Sequence, residues 1–146
     1  MAEHDLRIGN TASYGPPAQT LDRVYYLENT IDFSVNEMAA ADTAIIFNLP
    51  AYHCVLHAMC QLTTSEGTTA TIEIGTPGDP DGIINEVNLM TVGITSSAHH
   101  ADEDVIGAVS STATTIIIDP GHALCTAAIK VGVLIADMTP LSTKLA

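Results

Sequence analysis

The densest collection of side chains able to do chemistry lies in Tyr52-His53-Cys54-Val55-Leu56-His57-Ala58-Met59-Cys60. On a helix, His53 and His57 would share a face and could grip one metal ion. On a strand they also share a face but stand about 13 Å apart, too far to chelate it. His99 and His100, followed by Asp102, Glu103 and Asp104, form a second collection. Its groups suit a divalent-cation loop or a pH-responsive one, and its polarity also suits an ordinary solvated loop tip. Gly78-Asp79-Pro80-Asp81-Gly82 offers paired carboxylates without the further alternating ligands or the closing Glu of a calcium loop, so turn chemistry accounts for it. His122 and Cys125 lie near each other in the chain, but nothing marks a third group that would orient them as base and nucleophile. The chain has no GxSxG, HExxH, P-loop or GxGxxG pattern. An enzyme is not expected, nor is a bound metal or cofactor.

Which geometry holds for the histidines depends on the element that carries them. From Asp42 to Gly75 the apolar residues recur with period two: Ile45, Phe47 and Leu49, then Tyr52, Cys54, Leu56, Ala58, Cys60 and Leu62, then Ala70, Ile72 and Ile74. That is the pattern of strands with one buried face. Ser65-Glu66-Gly67 reads as the turn of a hairpin joining the last two runs. His53 and His57 then become one face of a strand, with Cys54 and Cys60 together on the other. They are better candidates for an interface than for a metal site.

The rest of the chain follows the same logic. Ile31, Phe33 and Val35 predict a short first strand, and Glu37 to Ala41 predicts a helical turn or a loop. Thr76 to Gly82 is the strongest turn cluster. The spacing of Ile83, Ile84, Val87 and Met90 fits a helical stripe, so a short helix or irregular crossover is expected there, followed by a strand over 91–96. Further strands are expected at 105–109, 111–119 and 123–138. In the last of these Ala127, Ile129, Val131, Val133 and Ile135 point inward. Pro16 and Pro17 bar a regular element near the start, leaving residues 1–30 as an extended arm whose Tyr14, Tyr25 and Tyr26 are candidate contacts. That arm is either a frayed terminus packing on its own domain or one exchanged with a neighbouring subunit. The expected organisation is arm 1–30, domain 31–138 and tail 139–146. Many short strands punctuated by Gly and Pro, with little helix, predict an all-β antiparallel β-sandwich, of jelly-roll type, with an extended N-terminal arm. Apolar residues on both faces of parts of the strands at 52–64 and 123–138 call for cover from the arm or from another subunit, which favours an oligomer.

A length of 146 residues fits one domain. Apolar residues make up 47% and charged ones 14%, and the net charge of -13 sets 17 acids against 4 bases. Nucleic acid is an improbable partner for such a chain, because binding its phosphates depends on Lys and Arg. No apolar run reaches the roughly 18 residues of a membrane-spanning helix. The opening residues lack the basic and apolar regions of a signal peptide, so synthesis in a cytosol is expected. Three cysteines form no disulfide framework and read as small buried hydrophobes.

DTAIIFNLPAYHCV from Asp42, the LTT that ends the next strand, GTTATIEIGTPGDPDGI from Gly67 and the closing AAIKVGVLIADM resemble small structural proteins of tailed-phage virions. The resemblance spans about Asp32 to Met138 and rests on turn and strand patterns. It implies a β-sandwich or jelly-roll subunit, commonly a homotrimer. Such a subunit is made in the host cytoplasm and attached to the capsid exterior as a decoration or cement protein, with the major capsid protein as partner. His53 to His57 depart from the small and Thr residues such strands usually carry. A tail or head-fibre component and a lectin-like jelly-roll module are the alternatives.

Overall fold

Ile129, Val131, Val133 and Ile135 are fully buried, as their alternation requires, and the strand that carries them sits inside a sheet. The computed structural model describes residues 23–67, 69–97 and 105–140. Tyr14 and the rest of 1–22, Thr68, residues 98–104 with the histidines and acids expected to form a loop, and residues 141–146 lie outside the described residues.

The strands are β1 (Arg23–Asp32), β2 (Ala44–Leu49), β3 (His53–Thr64), β4 (Thr71–Thr76), β5 (Asp79–Asn88), β6 (Gly93–Ser96), β7 (Thr114–Pro120) and β8 (Ala128–Asp137). One sheet has the order β1-β8-β3-β6 and the other β2-β7-β4-β5. Every ladder is antiparallel. The first strand pairs with the last, β2 with β7, β3 with β6 and β4 with β5. The chain is therefore one long antiparallel hairpin rolled over two facing sheets. It is an antiparallel β-sandwich, and its core is the apolar row each strand turns inward, from Leu27 and Leu62 on one side to Ile74 and Ile118 on the other.

Several expectations change. β3 and β4 do not form a hairpin: they lie in different sheets, and Ser65-Glu66-Gly67 begins a crossing between them. The hairpin is β4 to β5, turning at Pro77-Gly78 with Thr76 opposite Asp79. Across that hairpin a Cβ on Gly75 would collide with the backbone carbonyls of Asp79 and Pro80, so only glycine fits. The first strand comes earlier than Ile31–Val35. Residues 23–30, assigned to the arm, belong to β1, and the chain turns after Asp32, whose Oδ1 accepts hydrogen bonds from Ser34 N–H (2.9 Å) and Oγ–H (2.6 Å). Phe33 is buried by the turn and Val35 is left exposed.

Residues 83–88 are strand, not helix. Glu86 adopts φ 61°, and the β4·β5 register shifts between Ile72 and Ile74, so one extra residue enters β5. That bulge converts a period of two into the spacing of Ile84 and Val87 that mimics a helix. Around 105–109 the structure has an isolated bridge from Ile106 to Val55 in place of a strand. The 37–41 segment is a loop holding a bridge from Met38 to Leu124.

Candidate interaction surface

Four of the sequence-derived candidates, Tyr25, Tyr26, His53 and His57, lie on the β1-β8-β3-β6 sheet, but not on one face of it. A bulge between Val55 and His57 inserts Leu56 as an unpaired residue: Val55 lies opposite Ile135 and His57 opposite Leu134. Before the bulge the odd-numbered residues face the core, and after it they face outward. His53 and His57 are thus on opposite sides of the sheet, and so are Cys54 and Cys60, contrary to the regular alternation. Cys60 joins the core, where burial pushes its thiol up to about 12. Cys125 is exposed rather than buried.

On the inner side, at the end of the sandwich, Tyr25 and His53 meet edge to face with ring centroids 5.8 Å apart. The β2–β3 turn aims His53: Tyr52 takes φ 63°, His53 N–H donates to Pro50 O (3.2 Å), and Met138 N–H donates to Tyr52 O (2.8 Å). His53 Nδ1 stands 2.9 Å from Ala51 O, which can only accept, so Nδ1 carries a proton. Nε2 is 3.8 Å from Asp137 Oδ1. His53 also forms part of the wall of a pocket of about 310 Å³ with Leu49, Val105 and Thr114.

On the outer side, cross-strand pairing sets Tyr26, Leu134 and His57 in one row, Glu28, Gly132, Met59 and Ser96 in the next, and Thr30, Lys130, Gln61 and Ile94 in the third. Gly132 leaves room for the Tyr26 ring, which a Cβ there would strike. Tyr26 Oη–H donates to Glu28 Oε2 (3.4 Å), and Lys130 Nζ pairs with Glu28 Oε1 at 2.9 Å. Partial burial, then the charge and hydrogen bond of Glu28, raise the Tyr26 phenol above its ordinary value. His57 is fastened to the edge strand. Ser97 Oγ accepts from Ala58 N–H (3.0 Å) and lies 3.0 Å from His57 Nδ1, while His57 Nε2 lies 3.3 Å from Ser96 Oγ. Buried Ser97 thereby serves the backbone and the imidazole together. Around this polar stripe Val24, Leu56, Met59 and Ile94 remain 40% to 66% exposed.

The opposite outer face, on β4, β5 and β7, is acidic. Glu73 lies directly across from Asp119, and burial, then the charges of Asp81, Asp119 and Glu86, raise its carboxyl above the usual carboxylate range. Like charges facing each other on a ladder are unfavourable. Sequence alone missed this patch, because the carboxylates converge only through strand pairing. It missed Glu66 as well. This buried side chain accepts backbone hydrogen bonds from Cys125 N–H (2.8 Å) on Oε1 and from Thr126 (3.1 Å) and Ala127 (2.7 Å) on Oε2. Burial would raise the Glu66 carboxyl, but these bonds outweigh it and hold it below its ordinary value. Its place beside Gly67 had marked only a turn.

Among the described residues no three His, Cys, Asp or Glu side chains converge as a metal site requires. None of their helices is long and apolar enough to cross a membrane. The arrangement can present surfaces: one apolar with a polar stripe, one acidic.

A chain in the solved capsid of Ralstonia phage GP4 is similar over 81% of this chain and 86% of its own, with 14% identity and TM-score 0.61. A chain in the acidic stable capsid structure of Helicobacter pylori bacteriophage KHP30 is similar over 79% and 92%, with 11% identity and TM-score 0.55. The shared feature is the fold. No protein-family model matches the chain, and no curated protein matches it in sequence. At these identities what the three chains share is the sandwich, so the outer faces described above are interpreted from their own chemistry.

Proposed function

We propose that this chain is a virion structural protein that decorates the outside of an assembled phage head and cements it. It would do so as an oligomer, a homotrimer on the resemblance drawn from sequence, with the major capsid protein as partner. The observation that carries this reading is the rolled two-sheet sandwich, whose strand order we take as a jelly roll and which is shared in fold with chains of two phage capsid structures. The exposed apolar residues on the β1-β8-β3-β6 sheet support it further, since they offer contact area that a solitary subunit leaves in water. A protein that binds only the assembled shell adds its binding free energy to the shell's resistance to bursting. Repetition by symmetry turns modest contacts into avidity.

Mixing the purified protein with cognate capsids and imaging them tests the reading. Density at threefold or local threefold positions is the expected result. Monomeric scattering together with bare capsids would sink it.

A further inference from the structure

Among the described residues four strands end the two sheets, and three of them carry features that obstruct further pairing. β6 is only 4 residues long. β2 is bulged between Ile45 and Phe47, and Asn29 Nδ2 donates to its Ile46 carbonyl (3.5 Å). β5 contains Pro80 and the left-handed Glu86. β1 has none of these: its 10 residues run in unbroken register along β8.

The free hydrogen-bonding groups of β1 can be identified. Phe33 N–H donates to Ala127 O (2.9 Å) one step beyond the Asp32–Ala128 pair, so odd-numbered residues turn their amides and carbonyls toward β8. The N–H and C=O of Glu28 and Thr30, and the N–H of Asp32, therefore point to the open edge, where no described strand lies. The Asp32 carbonyl confirms the sense, since it accepts from Val35 (3.2 Å) and Asn36 (3.0 Å) on that side.

Beside this half of β1 a groove of about 500 Å³ separates it from β2, with Ile31, Phe33 and Ile45 as apolar walls and Glu37 and Asp42 on its rim. No Lys or Arg among the described residues lines it. We propose that the Leu27–Asp32 edge takes up an extended segment of the shell protein as an added strand, with Lys or Arg on that segment meeting the acidic rim. This rests on the capsid reading and names the partner's chemistry. Main-chain bonds to Glu28, Thr30 and Asp32 give affinity, the groove receives alternate apolar side chains, and charge selects a basic strand. A second copy of this chain suits the edge less well, because the net charge of -13 on each copy opposes close approach.

The test is cosedimentation with capsids stripped of this protein, using wild type, Thr30→Pro and Asn29→Pro. Thr30→Pro deletes a donor on the open edge alone and is expected to keep its melting temperature while capsid affinity falls at least ~10-fold, as loss of a main-chain bond and its neighbours requires. Asn29→Pro deletes a bond to β8 and is expected to lower the melting temperature. Amide exchange on the wild type supplies a measure independent of either variant folding: Glu28 and Thr30 should gain protection only on capsids. Unchanged binding of folded Thr30→Pro, or no new protection at those amides, overturns the proposal while leaving the capsid reading standing. A wild-type dimer that Thr30→Pro converts to monomer overturns it in favour of self-pairing. Wild-type protein that leaves capsids bare overturns the capsid reading and this proposal with it.

Discussion

Burial alone raises a carboxyl's pKa, and Glu66 and Glu73 differ in what surrounds them. Glu66 meets three backbone amides, and its value falls below that of the unfolded chain. The unfolded state then binds more protons at acid pH, so the stability Glu66 supplies is complete above the ordinary carboxylate range near ~4.3 and is lost as pH falls through its lowered folded value. Glu73 meets three more carboxylates, and its value rises. Its charged form is disfavoured in the fold, so it subtracts stability at neutral pH and ceases to do so in acid. Glu66→Gln should therefore cost about 1–3 kcal/mol at pH 7, the scale of hydrogen bonds to a buried charged group, with the deficit shrinking in acid. Glu73→Gln should stabilise the protein at pH 7, with the gain vanishing below about pH 4. Urea unfolding of both variants at several pH values reads the two opposite signs. A loss of stability in Glu73→Gln at neutral pH would contradict the acidic face.

Bulges decide which side chains of an element meet, and β3 shows how. Its ladder with β8 is regular from His53 to Val55 and again from His57 to Leu62: Val55 faces Ile135, and His57 already faces Leu134. Deleting Leu56 should leave every other pair in place and cost roughly 1 kcal/mol or less. Deleting Met59 should turn core residues Cys60 and Leu62 or their partners to the wrong side and prevent folding. Circular dichroism and thermal melting of the two deletions separate these outcomes. Equal damage from both would mean that the bulge is needed for the sheet rather than merely tolerated by it. The extra residue at Glu86 acts similarly in β5, where it disguised a strand as a helix.

As a whole molecule the sandwich presents unlike outer faces: one with exposed Val24, Met59 and Ile94 around the Glu28–Lys130 pair, the other with Glu73, Asp81, Glu86 and Asp119. With 17 acids against 4 bases, self-repulsion opposes the folded state. Added salt should raise the melting temperature by a few degrees between low ionic strength and ~0.5 M, where the screening length has fallen below 10 Å. A flat or falling curve would show that the acids are individually neutralised by their surroundings. If the proposed basic capsid segment is the partner, the same charge makes its binding weaken with salt, so stability and that binding should respond in opposite directions.

The sequence by itself determined the all-β class and the inward row of β8. Alternation is a local property of a strand half-buried by its neighbours, and any partner that covers that face preserves it. It also placed a strand leading up to Pro120-Gly121 and a turn cluster over 76–82, since turn residues act through their own backbone preferences; the structure keeps the turn at Pro77-Gly78 and gives 79–82 to β5. The tertiary structure alone decided that β3 and β4 part to different sheets, because a short Gly-containing link can turn back within one sheet or cross to the other. It decided that His53 lies beside Tyr25 while His57 lies outside. A single inserted residue reverses every later side chain, and only the partner strand reveals where the insertion falls.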